Sequence, residues 1–335
     1  MPSRTRIASV AVVFAIAAGA CSSDSGDEGA AFVETTPADA DPTTAPATIG
    51  PSTSAAPITA APTTTVAPLP DERPVPSDPA GLAAALSEAE RMLRDPAVGA
   101  DESAAWGRRQ QRLYRELPRN GDDAAAVLAE VDADAAAPIR LNWTARQSLS
   151  SLVRSGPLSE TLPAWRIEPP LPADELLAFY REAEAATGIE WEYLAAINLI
   201  ETRMGRIDGL STAGATGPMQ FLPSTWAECC EGDPTIDRDA INGAAIYLVD
   251  RGGPDDMARA LFGYNPSDRY VEAVTAYTEV LRQDELAYRG YHAWEVYFLS
   301  AAGLIRMPVG YEETEPIDAA EWVAANPDAL VTPPA

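Results

Sequence analysis

The chain has 335 residues, of which 50 are acidic and 24 are basic, and its formal net charge is −26. Because phosphate groups are bound through basic patches, this excess of acid argues against a nucleic-acid partner. Three cysteines and one histidine supply too few ligands for structural zinc clusters, so we expect no metal.

Residues 1–21 resemble a bacterial lipoprotein signal peptide. Arg4 and Arg6 precede an apolar run over 7–18, which is too short to cross a bilayer but suits a secretory signal. Small residues then lead into Cys21, which the resemblance implies is a lipidated N-terminus after cleavage. The alternative is an ordinary secretory signal followed by an incidental cysteine. Under either interpretation the mature protein works outside the cytoplasm, anchored to the outer face of the cytoplasmic membrane or secreted.

The next segment, residues 22–78, is dominated by threonine, proline, alanine, serine and acidic residues. A segment of this composition buries too little apolar area to offset the entropy lost on ordering, and its prolines keep it extended. We therefore predict a disordered linker that gives the protein reach from a membrane anchor.

Helical periodicity begins near Pro79. Leu82 and Leu86 keep helical spacing, and three further segments of the same kind follow. The sequence predicts a helical accessory region over 79–160 that carries no recognisable catalytic set. We expect these helices to pack against the rest of the protein. The alternative is that the helices over 79–154 form a partner-binding module.

A proline-rich passage precedes the next helices, one of which carries Glu201. Leu194, Ile197 and Glu201 share one side of that helix, so the carboxyl group is drawn toward the core. Burial disfavours the charged form, and so does the partial negative charge of the helix C-terminus, which Gly205 marks. Both effects predict a raised pKa for Glu201, as a general acid requires.

The alternative for Glu201 is a solvated carboxylate paired with Arg203 or Arg206. The chain downstream weighs against it, because a loop of small residues over 214–220 follows and ends in Gln220. This loop lacks the Lys-Ser/Thr pair of a phosphate-binding loop, and its small residues let the backbone approach a ligand closely. The pattern therefore favours a ligand site near Glu201.

Cys229 and Cys230 are adjacent and flanked by acidic residues. Negative neighbours such as Glu228 and Glu231 raise the pKa of a thiol, and the lone His292 lies far along the chain, so a Cys-His peptidase is disfavoured. A disulfide between neighbours and a pair of buried thiols both remain open.

The C-terminal extension over 291–335 is rich in aromatic and apolar residues at its start. We expect Trp294, Tyr297 and Phe298 to pack back on the preceding helices, since apolar stripes are usually core. The alternative is that these rings line a ligand groove.

Helical segments continue to about residue 283 and break at Tyr264-Asn265-Pro266. Three ordered blocks, ETRMG, LSTAGATGPMQFLPSTW and ALFGYNPSDRYVEAV, resemble the catalytic domain of lytic transglycosylases of the lysozyme-like superfamily. The resemblance covers about 185–285 and is nearest to the secreted or membrane-bound branch of GC-rich Gram-positive bacteria. It implies an all-α chain with a lysozyme-like, goose-type helical catalytic domain over 161–290. It also implies peptidoglycan glycan strands as the partner, with no cofactor. On this resemblance, the ligand of an aromatic groove over 291–335 would be a glycan, and a partner of the helices over 79–154 would be a cell-wall protein.

The resemblance implies a role for each matching residue. Glu201 matches the catalytic glutamate. The other matches position substrate or line the sugar cleft, and they are Ser211, Met219, Gln220, Tyr264 and Asn265. The hydroxyl group of Tyr264 is implied to contact Glu201. In the implied reaction Glu201 protonates the oxygen leaving C1 of N-acetylmuramic acid and then takes the proton of the same sugar's C6 hydroxyl, which closes a 1,6-anhydro ring.

Two other functions remain open. A hydrolytic muramidase would use Asp208 as a second carboxylate that activates water, since glycosidases in general use two carboxyl groups. A structural explanation of Asp208 is a turn residue that hydrogen-bonds its own backbone. The other hypothesis is that the protein is a cell-wall-binding scaffold lipoprotein without enzymatic activity.

Overall fold

The computed structural model describes residues 68–117, 121–152 and 157–333. The predicted signal peptide with Cys21, and the predicted linker as far as residue 67, lie outside them. The described residues are 58% helix and 11% strand, which places the chain in the mostly-α class. The all-α prediction omitted three small antiparallel sheets. Within the described ranges, no helix is long and apolar enough to cross a membrane.

The array predicted after the linker forms four helices. They are α1 (Pro79–Arg94), α2 (Ala100–Glu116), α3 (Gly121–Glu130) and α4 (Ala136–Leu152). The start of α1 follows the rules for helix N-termini, because Pro79 takes the first position and the Asp78 carboxylate accepts a hydrogen bond from the Gly81 N–H at 2.8 Å. The helix ends one residue before Asp95-Pro96, as the sequence predicts.

The prediction of a disordered linker is wrong for residues 69–78, which pack on α2. Arg109 donates from Nη1 to the carbonyl oxygen of Arg73 at 3.1 Å, and Arg108 forms a 2.5 Å ion pair with Asp71. Guanidinium groups of α2 therefore satisfy polar groups of a proline-rich segment that has few N–H groups with which to form a ladder. Composition alone does not report such contacts with a distant helix.

Further helices follow the proline-rich passage. They are α5 (Ala173–Thr187), α6 (Trp191–Thr202), α7 (Pro223–Cys229), α8 (Asp237–Asp250), α9 (Met257–Tyr264), α10 (Asp268–Gln283), α11 (Ala287–His292) and α12 (Ala319–Ala325). The central one is α6, whose residues 193–202 are all buried. A helix that is apolar on every side belongs inside a core, and α6 packs against α5, α8 and α10.

The strands are short and pair only in antiparallel fashion. They are β1 (Thr161–Leu162) with β6 (Ile317–Asp318), β2 (Trp165–Ile167) with β3 (Ile207–Gly209), and the sheet β4 (Val296–Ser300), β5 (Gly303–Met307) and β7 (Leu330–Thr332) in the order β4-β5-β7. The C-terminal aromatic residues thus lie at or in a sheet. Trp294, Tyr297 and Phe298 are all buried, which argues against a glycan groove. Trp294 packs on the preceding helices as predicted, whereas Phe298 packs in a separate core between the sheets.

One hydrophobic core runs through both the N-terminal array and the helices around α6. Helix α4 packs along α10, and the Ser148 hydroxyl donates to the Glu272 carboxylate at 2.5 Å across that contact. A second, smaller core lies between the sheets and includes Phe298 and Ile305. The described residues from Leu69 onward form one compact unit, so the boundary predicted at residue 160 falls within a continuous structure.

Candidate active site

Glu201 lies in the last turn of α6, where the helix stops. The helix ends at Thr202, and Arg203 and Met204 then take left-handed backbone conformations, with φ of 56° and 62°, before Gly205 continues the turn at 80°. Left-handed conformations cost non-glycine residues about 1–2 kcal/mol each, so the surrounding packing must hold this turn. The helix therefore ends three residues before the glycine that marks its end in the sequence.

The carboxyl group of Glu201 is buried, with 2% of the residue exposed. Its Oε1 accepts a hydrogen bond of 2.7 Å from the Tyr270 hydroxyl, while its Oε2 is buried without a hydrogen-bond partner among the described residues. Burial raises the Glu201 pKa to about 8, against smaller opposing effects of the Tyr270 hydrogen bond and the Arg203 charge. The predicted rise in pKa is confirmed, and the alternative of a solvated carboxylate is wrong.

The implied contact between Tyr264 and Glu201 is wrong. The Tyr264 hydroxyl donates to the Met219 carbonyl oxygen at 2.6 Å, and Tyr270 binds Glu201 instead. The two tyrosine rings stack in parallel with centroids 6.3 Å apart, one at the end of α9 and the other near the start of α10. In the sequence Tyr270 shares helical spacing with Val274 and Tyr277, which points it inward, and a buried tyrosine hydroxyl needs a polar partner, which was the available signal.

Asn198 and Thr202 flank Glu201 along α6 and bind the loop of small residues. The Asn198 side-chain amide and the Thr202 hydroxyl both donate to the Pro218 carbonyl oxygen, at 2.8 and 2.7 Å, and the Tyr180 hydroxyl donates to Asn198 Oδ1 at 2.5 Å. This buried network holds the loop against the end of α6. Neither residue was predicted as part of the site, although polar side chains within an apolar helix indicate a buried hydrogen-bond network.

Ser211 and Gln220 hold the loop that the sequence predicts as a ligand site. The Ser211 hydroxyl oxygen accepts hydrogen bonds from the N–H groups of Ala213 and Ala215, at 3.3 and 2.9 Å. Gln220 has a positive φ of 50°, and its side-chain amide donates to the Gly217 carbonyl oxygen at 3.0 Å. Both polar side chains are buried and shape the loop, while their contact with a ligand stays a prediction.

Met219 and Asn265 differ in whether they have a polar group available to bind a ligand. Met219 is completely buried, and its carbonyl oxygen is occupied by Tyr264. Asn265 caps the C-terminus of α9 with its backbone N–H, which donates to the Leu261 carbonyl oxygen. Its side-chain amide makes no hydrogen bond within the described part of the chain. Of the predicted binding residues, Asn265 therefore has the most available polar group.

Asp208 does not lie in a turn. It is a residue of β3, opposite Arg166 of β2, and its exposed carboxylate forms an ion pair with the Arg166 guanidinium. The structural explanation offered from the sequence, a turn that bonds its own backbone, is therefore wrong. An exposed carboxylate already paired with arginine is also poorly placed to act as a base in the muramidase alternative.

Cys229 and Cys230 form a disulfide at the end of α7. This decides between the two possibilities that the sequence left open, and it removes the thiolate that a Cys-His peptidase would need. His292 is half-buried, and its ring Nε2 lies 2.8 Å from the Leu171 carbonyl oxygen, so the histidine has a structural partner. Across 68–117, 121–152 and 157–333, no three His, Cys, Asp or Glu side chains come together as a metal site.

The arrangement around α6 can carry out proton transfer. A carboxyl group that keeps its proton at neutral pH, with one oxygen held by a tyrosine and the other free of protein partners in the described structure, can donate a proton to a substrate oxygen and later recover one.

Compared with protein-family models, curated proteins and solved structures, the chain shows no match.

Proposed function

We propose that the protein is a peptidoglycan lytic transglycosylase, with a lysozyme-like catalytic domain and Glu201 as its single acid and base. The observation that carries the proposal is the buried Glu201 carboxyl group, whose pKa is raised to about 8 and whose Oε2 has no hydrogen-bond partner among the described residues. The three sequence blocks that resemble this enzyme family supply the substrate class. Under the same proposal, lipidated Cys21 anchors the enzyme at the outer face of the cytoplasmic membrane.

The chemistry follows from the two protonation states of Glu201. The protonated carboxyl group donates to the glycosidic oxygen as the bond to C1 of N-acetylmuramic acid breaks, and the sugar's N-acetyl group stabilises the cationic centre. The carboxylate left behind is buried and unfavourable, so it readily takes the proton of the C6 hydroxyl as that oxygen bonds to C1. The Glu201 proton is restored, and the product carries a 1,6-anhydro ring.

Neighbouring side chains have distinct parts in this proposal. The Tyr270 hydroxyl stays hydrogen-bonded to Oε1 and stabilises the transient carboxylate, the orienting role that the resemblance implied for Tyr264. The side-chain amide of Asn265 is available for a sugar hydroxyl or acetamido group. Ser211 and Gln220 act by shaping the loop.

Access to the carboxyl group requires movement. Glu201 is 2% exposed and its Oε2 is buried, so a glycan oxygen reaches it only when neighbouring groups shift. Site closure around a substrate also excludes water, which favours attack by the C6 hydroxyl over hydrolysis. The burial that raises the pKa therefore suits the non-hydrolytic outcome.

Product analysis tests the proposal. Purified sacculi are digested with the wild-type protein and with Glu201→Gln, and the fragments are analysed by mass spectrometry. We expect 1,6-anhydro ends from the wild type and none from the variant. A matched control is Glu190→Gln, which removes an exposed glutamate at the other end of the same helix and should keep activity.

The other outcomes distinguish the alternatives. Reducing muramic acid ends from the wild type would show a hydrolase and would overturn the transglycosylase proposal. No soluble fragments from folded wild-type protein would favour the scaffold alternative.

A further inference from the structure

A cavity of about 900 Å³ lies between the N-terminal ends of α2 and α5, helix α11 and the proline-rich segment 169–172. Glu201 does not line it. Most of its wall residues are apolar, among them Pro96, Pro169 and Leu177. A cavity of this size, with apolar walls and a few polar groups, is typical of a site for an organic ligand.

Two hydroxyl groups in these walls are buried and have no hydrogen-bond partner among the described residues. They belong to Ser103 of α2 and Tyr288 of α11, and each residue is 3% exposed. Burial raises the pKa of Tyr288, so its hydroxyl group keeps its proton and remains a donor. Buried hydroxyl groups without a partner destabilise a fold and are rare, and a ligand that supplies acceptors would account for both.

Arg206 brings a positive charge to the same cavity. Its Nη2 donates to the carbonyl oxygen of His292 at 3.0 Å, while its Nε is buried with no acceptor in the part of the chain that the structure describes. Glu295 and Arg108 act on this guanidinium with opposite charges. A guanidinium that still has an N–H group to donate binds a carboxylate best, because the hydrogen bond is then assisted by charge.

The charges around the cavity admit a negatively charged group. Three arginines and two acidic residues line it, whereas the whole chain has 24 basic and 50 acidic residues. The two acidic residues, Asp174 and Glu285, are exposed, and Glu285 forms an ion pair with Arg181. The cavity is therefore much less acidic than the protein as a whole.

The three donors come from different parts of the fold. Ser103 lies in α2, Tyr288 in α11, and Arg206 between α6 and β3. The carbonyl group that Arg206 binds lies four residues after Tyr288, which is about 6 Å along a helix. Alternate residues of an extended peptide are about 7 Å apart. A ligand with acceptors spread along its length therefore suits these donors better than one compact anion.

We propose that this cavity binds an extended peptide with apolar side chains and a free C-terminal carboxylate. Arg206 binds the carboxylate, and Ser103 and Tyr288 donate to carbonyl oxygens of the peptide. Because both hydroxyl oxygens are covered in the free protein, the peptide reaches them as neighbouring wall side chains move aside. The site is separate from Glu201 and does not depend on the reaction proposed there.

Peptide capture by the full chain tests the proposal. The protein is incubated with acetylated tetrapeptides randomised over alanine, leucine, proline and valine, and retained peptides are identified by mass spectrometry. A second library differs only in its C-terminal amide. We expect the free acids to be retained about tenfold more than the amides, because the amide cannot form an ion pair with the guanidinium. Equal retention of the two libraries, or no retention of either, would overturn the proposal.

Variants assign the binding to the cavity. Ser103→Ala and Tyr288→Phe each remove a hydroxyl group that has no partner in the free protein, so each should weaken the affinity of a retained peptide roughly threefold without lowering the thermal unfolding midpoint. Arg206→Gln should remove the preference for the free acid. The matched control is Thr278→Val, which removes another buried hydroxyl group without a described partner, outside the cavity.

Thr278→Val should leave the affinity unchanged. Unchanged affinity in both Ser103→Ala and Tyr288→Phe would place the peptide elsewhere and overturn the proposal. An equal loss of affinity in Thr278→Val would do the same.

Discussion

Replacing Glu201 with glutamine should stabilise the folded protein at neutral pH, by an amount that grows with pH. The folded-state pKa is about 8, against an ordinary value of 4.5. Below the ordinary value both states hold the proton. Between the two values only the folded state holds it, so wild-type stability falls by about 1.4 kcal/mol for each pH unit. Above the folded pKa the loss is complete.

Glutamine mimics the protonated carboxyl group and does not titrate. Its Oε1 can still accept the Tyr270 hydrogen bond. The wild type therefore loses about 3 kcal/mol relative to Glu201→Gln between the ordinary pKa and pH 7, and about 5 kcal/mol by the folded pKa. A change of this size is a large part of the stability of a typical domain.

Urea unfolding of both proteins at pH 5, 6, 7 and 8 measures the difference. Other groups with shifted pKa values, such as Asp237 and His292, are present in both proteins and cancel. Glu190→Gln, which removes an exposed glutamate paired with Arg282, should stay within about 1 kcal/mol of the wild type at every pH. A stability difference between Glu201→Gln and wild type that does not change with pH would refute the raised pKa.

Five further substitutions have definite expectations. Tyr270→Phe removes a hydrogen bond that lowers the Glu201 pKa, so the basic limb of the pH profile of sacculus digestion should move upward, whereas Tyr264→Phe should cost about 1 kcal/mol in urea unfolding without that shift. Gly217→Ala should destabilise by more than about 2 kcal/mol, because its Cβ would lie 1.8 Å from the Pro234 carbonyl oxygen. Gly214→Ala, with nothing within 4 Å of its Cβ, should cost only about 1 kcal/mol for its positive φ. Asp208→Asn should change stability by less than about 0.5 kcal/mol and leave anhydro products unchanged; a switch or loss of products would revive the muramidase alternative.

The helical spacing of apolar residues was sufficient to predict burial where one face of a helix points to the core. The stripe that includes Leu194 and Ile197 placed Glu201 toward the core, and burial then determined the direction of its pKa shift. The prediction needed no knowledge of the partners. Helix periodicity together with the cost of burying a charge accounts for it.

Contacts between distant segments were not predictable in the same way. Tyr264 and Tyr270 are six residues apart, and the choice between them as the partner of Glu201 depends on how α9 and α10 meet. The hairpin β4-β5 was also missed, because a short apolar run gives the same signal in a strand and in a buried helix. Residues 69–78 are held by a hydrogen bond and an ion pair from arginines of α2. The composition of residues 69–78 gives no sign of these contacts.

The packing of α4 along α10 determines how the protein can be divided. A recombinant fragment that begins at residue 161, the start of the predicted catalytic region, would expose the apolar face of α10 to water. It would also lose the hydrogen bond of 2.7 Å from the Tyr291 hydroxyl to Asn142 of α4. Because α10 carries Tyr270, the damage would extend to the hydrogen bond with Glu201. A fragment that keeps these contacts therefore includes α4, and the first four helices belong to the same compact unit as the helices around Glu201.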